Sequence, residues 1–306
     1  MRARSAHATR AAGVALAAVL ATGVAVPAHA AAPVAHPRVP APSQPADRFQ
    51  GTANFRDVGG LRTWWGARVR SGVIYRSDAL NKLTDADRTA LAKLGVRRIV
   101  DFRTPTEVGG DGPDQLPSGL AVTARPIDDT GMYVTVNGAI GSKDPVRQQQ
   151  VLGGDRGAAL LHGVYRSFVT DARSRAAFGA TLREMAGRRT TPLVFHCTSG
   201  KDRTGWTTYL LLRVLGVDHR TAERDYLLSN AYRAETDAKV REQLKAAGYM
   251  QDPQLLAPVQ EVRTDYLDAA LNQARRSYGS LDRYLRVGLG VDGRTAAELR
   301  HRLTTR

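Results

Sequence analysis

The sequence predicts an α/β fold: a parallel-rich central sheet with helices on both faces. Three observations carry this prediction. Short apolar segments, of which Pro192–His196 (PLVFH) is the most compact, alternate with longer stretches of helical period, the pattern of strands joined by helical crossovers. A buried strand runs through a glycine-containing loop into the almost continuously apolar stretch Thr204–Leu215, which reads as a buried helix. Everything after that helix is helical in pattern.

The elements follow in chain order. Thr52–Gly60 is a short extended piece ending in a glycine turn, and Gly72–Arg76 reads as a strand. Thr84 is a good N-cap, with Asp85 and Asp87 in the first turn of a helix that reaches Leu94 and stops at Gly95. Val96–Phe102 and Ala121–Ile127 read as strands. Asp128–Gly154 is polar and loop-rich, long enough to suggest a functional segment. Helices are expected at 156–171 and 173–187, then the strand 192–196 and the helix 204–215. Further helices are expected at 219–229, 231–247, 262–278, 280–288 and 295–303. No internal repeat is seen.

The first thirty of the 306 residues have the layout of a secretory signal peptide. Arg2, Arg4 and Arg10 precede an uncharged Ala/Val/Leu stretch at 11–26, and Ala28-His29-Ala30 supplies a cleavage site. The apolar run is shorter than the roughly 20 residues that cross a bilayer, so a cleaved, secreted chain is expected rather than an integral membrane anchor. No cysteine lies near the cleavage site to take a lipid, and no twin arginine is present. Residues 31–46 are Pro- and Ala-rich and read as an extended linker. Residues 47–306 are expected to form one α/β domain, with the helices near 231–260 as an excursion from it.

The chain carries a net charge of +15, of which three charges belong to the arginines of residues 1–30. A basic surface attracts anionic partners; an Arg-rich composition alone also produces one. No Lys/Arg run interleaved with aromatics appears, so nucleic acid is not an expected partner. The single cysteine, Cys197, leaves no internal disulfide. The sequence assigns no oligomeric state.

Chemistry concentrates at Phe195–Gly205 (FHCTSGKDRTG). Ligands bind at the carboxyl ends of strands in such sheets, and a helix N-terminus there offers free N–H groups and partial positive charge to an anion. Cys197 and Arg203 are separated by five residues. A loop of that length can curl so that the N–H groups of Thr198, Ser199, Gly200, Lys201 and their successors converge on one phosphate, with Gly200 permitting the curl. The sulfur then lies under the phosphorus, where the N–H groups and helix dipole favour a thiolate nucleophile. Arg203 can bind two phosphoryl oxygens with its planar fork. Thr204 can donate its hydroxyl to the thiolate, and His196 is expected to orient the loop through backbone hydrogen bonds.

This segment resembles the phosphate-binding loop of cysteine-dependent protein tyrosine phosphatases. More narrowly, the chain is similar to the secreted tyrosine phosphatase B group of mycobacteria and related actinobacteria. Asn54–Gly60, Tyr75–Leu80, Val100–Thr104 with Glu107, Asp225–Asn230, Tyr278–Ser280, Tyr284-Leu285 and Gly288–Gly290 resemble that group's flanking motifs. The resemblance implies a protein tyrosine phosphatase-like catalytic domain over residues 47–306, with a helical lid of two helices near 231–260, a phosphocysteine intermediate and no cofactor or metal. Loops with Gly-Lys, or with Asp before the arginine, also resemble those of phosphoinositide phosphatases. Lys201 is then a second cation for the pocket; the alternative is a Lys201–Asp202 ion pair that stiffens the loop.

A proton donor to the leaving group is also needed. Asp202 ranks first because it is already in the loop. Asp101 ranks second because it ends an apolar strand at the same sheet edge. Asp128, with Asp129 beside it, ranks third because it ends the strand at Ile127. The first functional expectation is a secreted phosphatase acting on phosphotyrosine, with phosphoserine and phosphothreonine as further protein substrates. The second is a phosphoinositide or small phosphomonoester phosphatase, so the expected partner is a phosphoprotein or a phospholipid. The third is a catalytically silent phosphate-binding protein. A metal-dependent phosphatase is not expected, because no His/Asp ligand cluster is visible in the sequence.

Overall fold

The computed structural model describes residues 49–305. The expected signal peptide (1–30) and linker (31–46) lie outside the described residues. Five strands form one sheet: β1 (Arg56–Asp57), β2 (Ile74–Ser77), β3 (Arg98–Asp101), β4 (Val122–Ala124) and β5 (Leu193–His196), in the order β1-β2-β5-β3-β4. β2, β5, β3 and β4 run parallel, and the two-residue β1 pairs antiparallel at the edge. β5 is central and buried along its whole length, which is why its sequence is a run of apolar residues rather than an alternation. Register places Ser77, His196 and Asp101 side by side. Three strands therefore end together, and Cys197 leaves the sheet at that edge.

The helices around the sheet largely follow the sequence signals. α1 (Asp85–Lys93) starts on a capping box in which Thr84 and Asp87 satisfy each other's backbone N–H groups, and Gly95 ends it with φ +65°. α5 (Arg156–Thr170) and α6 (Ala172–Met185) precede β5, and α7 (Arg203–Val214) follows the cysteine loop. α7 is buried on nearly every side, with Trp206, Leu210, Leu211 and Leu212 in the main core. α10 (Thr264–Tyr278) and α12 (Gly293–Leu303) complete that core through residues such as Tyr266, Leu267 and Leu299.

Four segments depart from expectation. A short helix, α2 (Pro105–Asp111), stands on a Thr104/Glu107 capping box. The stretch 128–154 holds two helices, α3 (Met132–Gly141) and α4 (Pro145–Leu152), rather than a loop. Their sequences show little amphipathic period; their order comes from a separate small core in which Ile140 and Leu152 meet Leu244, Met250 and Leu256. The expected helices 219–229 and 231–247 are one 28-residue helix, α8 (His219–Ala246). Asn230, at the expected break, turns its side chain away from its own helix and bonds the backbone N–H (2.7 Å) and carbonyl (2.8 Å) of Val262. Its amide therefore does not compete for the helix backbone. The C-terminal half of α8, a 3₁₀ turn at Pro253–Leu256 and α9 (Ala257–Gln260) form the excursion expected near 231–260. The 280–288 helix splits into α11 (Leu281–Arg283) and a π turn, Tyr284–Gly288. Among the described residues no helix is long and apolar enough to cross a membrane.

Candidate active site

The loop Cys197–Asp202 joins the C-terminal end of β5 to the N-terminus of α7. Its carbonyls are pulled outward by neighbouring elements. Ala79 N–H donates to Thr198 O at 3.2 Å, Asn54 Nδ2 donates to Ser199 O (3.1 Å) and Gly200 O (3.0 Å), and Arg76 donates to Gly200 O at 2.8 Å. Each trans peptide points its N–H opposite to its C=O, so the N–H groups of Ser199, Gly200 and Lys201 face the loop's interior. Gly200 has φ +65°, and a Cβ there would fall on the backbone of Ser77 and Asp78. Only glycine meets both conditions.

Arg76 and Arg56 lie behind the loop, fully buried, with the Asp225 carboxylate 2.8 Å from Arg76 and 3.6 Å from Arg56. Burial, followed by the Arg56 charge, pushes the Arg76 guanidinium down to about 10. It remains a cation at neutral pH and adds positive potential beneath the loop.

Cys197 is buried, and the Thr204 hydroxyl donates to its sulfur at 3.2 Å. Arg203 opens α7 with its guanidinium gripped from behind. It donates to Glu107 Oε2 at 2.7 Å and to the carbonyls of Phe102 (3.1 Å) and Ile127 (3.2 Å), while its second terminal nitrogen bonds Glu107 Oε1. Glu107 also accepts from the Thr198 hydroxyl (2.5 Å) and Thr104 N–H (2.8 Å). One carboxylate thus ties α2, the cysteine loop and the arginine together. Burial alone would raise Glu107, but the Arg203 bonds and charge hold it down to about 2. Burial likewise works against the Arg203 charge, yet Glu107 holds that guanidinium above its ordinary value.

Lys201 and Asp202 form the ion pair that was the alternative to a free pocket cation. Lys201 Nζ lies 3.0 and 2.8 Å from the two Asp202 oxygens and 3.2 Å from Glu261 O. Asp202 Oδ1 accepts in addition from the Tyr165 hydroxyl at 3.0 Å. Burial and the Asp202 charge push the Tyr165 phenol well above its ordinary value, so it stays a neutral donor. Tyr165 in turn meets the Tyr226 hydroxyl at 2.7 Å.

A buried cysteine under a ring of inward N–H groups, with a fixed arginine six residues on, is an arrangement suited to hold an anion above the sulfur. Comparison with known proteins agrees. The model of the tyrosine phosphatase family matches residues 48–305. The chain belongs to the tyrosine phosphatase family. It is by that membership a protein-tyrosine phosphatase. A Cupriavidus necator protein named as a tyrosine-protein phosphatase is 34% identical over 80% of this chain and 84% of its own. The triple specificity protein phosphatase PtpB of Mycobacterium tuberculosis is 30% identical over 82% of this chain and 96% of its own. A tyrosine-protein phosphatase of Nostoc commune is 31% identical over 54% of this chain and 50% of its own.

The remaining expected site residues of the phosphatase fall into two groups. His196 does not orient the loop through its imidazole, which instead meets Asp114 Oδ2 at 2.9 Å, with Nδ1 3.7 Å from Asp101. Its backbone carbonyl accepts from Phe102 N–H at 2.9 Å. Asp101, Asp114 and His196 therefore do form a His/Asp cluster, which the sequence concealed because Asp114 lies in an irregular segment. Arg103 already bridges its two carboxylates, 2.9 Å from Asp101 and 2.8 Å from Asp114. A guanidinium thus takes the place between the acids that a cation would need. Burial works to raise Asp114, but His196 and Arg103 hold it below its ordinary value. Asp101 also accepts from Arg103 N–H at 2.8 Å; it is a scaffold residue with its oxygens spent.

Asp128 is exposed, at the corner just after Ile127, whose carbonyl touches Arg203; its Oδ1 accepts from Thr130 N–H at 2.8 Å. Asp129 is buried and caps the entry to α3, accepting from Gly131 N–H (3.0 Å) and Tyr133 N–H (2.7 Å). Sequence reasoning missed the roles of Glu107, Asn54, Arg76 and Asp225. One signal was available: a charged Arg76 inside the strand pattern GVIYR implies a buried partner.

Proposed function

We propose that the phosphatase hydrolyses phosphotyrosine through a phosphocysteine on Cys197. The Thr204 hydroxyl at 3.2 Å from the sulfur, beside an Arg203 locked by Glu107, carries this reading. The Cys197 thiolate attacks phosphorus and the ester oxygen leaves with a proton. The inward N–H groups of Ser199, Gly200 and Lys201, with the Arg203 fork, hold the equatorial oxygens where charge is spread in the transition state. Water then attacks the phosphocysteine, and Thr204 donates its hydroxyl hydrogen bond to the departing thiolate.

We assign the proton transfers to Asp128. Asp101 is clamped by Arg103, and Asp202 accepts from an ammonium and a phenol, an arrangement of acceptors rather than of a donor. Asp128 stands at the corner that touches Arg203 and is open to solvent. It protonates the leaving oxygen, then takes a proton from the attacking water. Phosphoserine and phosphothreonine are further substrates on this reading; the Mycobacterium tuberculosis relative, named for triple specificity, supports a range wider than phosphotyrosine. A phosphoinositide preference loses its main support, because the Lys201 ammonium is consumed by Asp202 and Glu261 O.

The excursion is read as a lid. Arg233 of α8 reaches Ser199 O at 3.4 Å and Glu261 O receives Lys201, so both ends of the arm border the loop. The pattern of residues 1–30 supports export of the enzyme. Cys197→Ser should abolish turnover of an aryl phosphate while vanadate still binds, and wild-type enzyme denatured in alkaline detergent during turnover should carry one phosphate that is stable in alkali and released by mild acid. Residual turnover in the variant, or absence of the adduct, overturns the mechanism.

A further inference from the structure

The end of the sheet opposite Cys197 has its own chemistry. Val73, Arg97 and Pro192 immediately precede β2, β3 and β5, and they line a cleft of about 750 Å³. The cleft is walled by Arg70, Arg97, Arg188 and Arg302, with His301, and has no Asp or Glu in its lining. Three of these arginines are oriented by backbone: Arg70 donates to Arg302 O and Thr304 O (3.1 Å each), Arg97 to Arg188 O (3.4 Å) and Arg302 to Ala186 O (2.5 Å). Burial and the Arg188 charge pull the Arg302 guanidinium below its ordinary value, with Glu298 offsetting part of this. Like charges are crowded here without a counter-charge in the cleft.

Beside it, sharing His301 and Thr304, lies a second hollow lined by Trp64, Trp65 and Arg300. The two tryptophans sit at the tip of a hairpin closed by the Arg62–Arg68 bridge and by Thr63 N–H to Ala67 O at 2.9 Å. The hairpin is rigidly mounted. Trp64 N–H donates to Gly216 O (2.8 Å), Trp65 lies so close over Gly216 that a Cβ there would enter its ring, and Arg70 N–H bonds Leu303 O (2.7 Å). Trp65 is 39% exposed with Arg300 over its ring, and Trp64 is 80% exposed, touching another aromatic only at the edge of Trp65. Folding gains little from Trp64, yet a braced turn holds it outward.

We propose that this end of the phosphatase docks on an anionic lipid bilayer, with Trp64 and Trp65 in the interfacial layer and the arginine cleft on lipid phosphates. Indoles prefer the headgroup level of a bilayer, where one edge is apolar and the other wet, and juxtaposed arginines add attraction to anionic lipid. A soluble polyanion would use the cleft but leave Trp64 without a purpose. A protein partner would be met by an apolar patch around the anchor, whereas the neighbours of this pair are Arg300, His301 and Thr304. Four-residue strands separate the two ends by roughly 13 Å of sheet, so docking here leaves the cysteine loop on the far side. The inference does not depend on the assignment of the catalytic residues.

The test is partition of the chain from residue 31 onward, which keeps the whole family match, into vesicles. Mixed phosphatidylcholine and phosphatidylglycerol are compared with phosphatidylcholine alone. Binding is expected to the anionic vesicles only and to weaken with salt. Tryptophan emission should shift to the blue, since of the three tryptophans only Trp206 is already buried. Trp64→Ala should weaken partition about tenfold and abolish most of the shift. Arg97→Gln and Arg188→Gln should each weaken it about fivefold. Aryl phosphate turnover should remain unchanged in all three, certifying the fold. Equal binding to neutral vesicles, undiminished binding when Trp64→Ala, Arg97→Gln and Arg188→Gln are combined in one chain, or capture of soluble polyphosphate without vesicle binding would each overturn the proposal, the last assigning the cleft to a soluble polyanion.

Discussion

The two ends of this sheet use arginine in opposite ways. At the carboxyl end, Arg76, Arg103 and Arg203 are each spent on a carboxylate: Asp225, the Asp101/Asp114 pair and Glu107. At the amino end, Arg70, Arg97, Arg188 and Arg302 line a cleft without an acid. Guanidinium groups paired inside the fold set geometry, because removing one partner leaves a buried charge uncompensated. Guanidinium groups turned to a cleft and oriented by carbonyls keep their charge for whatever arrives. A net charge of +15 therefore says little until each arginine is assigned to one of these uses.

The sharpest way to break the contrast is at Arg203. Arg203→Lys should lower kcat about 10³-fold, because a point charge cannot replace a fork that both grips Glu107 and holds two phosphoryl oxygens. Near-normal kcat in single-turnover measurements would place the guanidinium outside the reaction.

Glu107→Gln should follow, with a loss of about 10²-fold in kcat, since it positions Arg203 rather than touching substrate. It should also change the response to acid. Glu107 is held from its ordinary 4.5 down to about 2 in the folded protein. Its folded value lies below its unfolded one, so the stability it contributes is fully present above about 4.5 and is lost as pH falls toward about 2. The amount is roughly 3 kcal/mol. Denaturant titrations across that window should show a shallower decline in the variant; parallel curves would mean that Glu107 is not charged in the fold.

Asp128→Asn is expected to cost about 10²-fold in kcat/KM on a tyrosyl phosphate and little in kcat/KM on a nitrophenyl phosphate, whose leaving group needs no proton in the first step. A steeper dependence on leaving-group pKa in Asp202→Asn, with none in Asp128→Asn, would return the role to the loop. The smallest effect belongs to Lys201→Ala. It should lower turnover of aryl phosphate and of a phosphoinositide by the same few-fold, since it removes a strut. A selective loss on the phosphoinositide would show that Lys201 swings from Asp202 to the substrate.

The parts of this site that were legible in the sequence are local. Strand, cysteine loop and helix lie within Leu193–Val214, and capping, glycine and apolar signals all act over a few residues. The same holds for α1, announced by Thr84 and Asp87. What was hidden depends on distant partners. Glu107 is 96 positions from Arg203 in sequence, and its T-x-x-E box read as nothing beyond a flanking motif. Asp202 looked like an acid in a pocket until Tyr165 and Lys201 took its oxygens. α3 and α4 owe their order to Leu244, Met250 and Leu256, so no periodicity within 128–154 could announce them. The proposal of Asp128 over Asp202 and Asp101 rests on the same ground: position along the chain does not reveal which carboxylates are already occupied.

The solitary thiol has a consequence for how long the enzyme lasts. Cys197 is the one cysteine in the chain and is 2% exposed. Once peroxide converts a thiolate to a sulfenic acid, an internal disulfide is the usual refuge from further, irreversible oxidation. This chain has no second thiol to offer. Recovery must come from an outside thiol small enough to enter the cradle, so the burial that keeps peroxide out also slows rescue. The enzyme's lifetime in oxidising surroundings is then set by access to one atom.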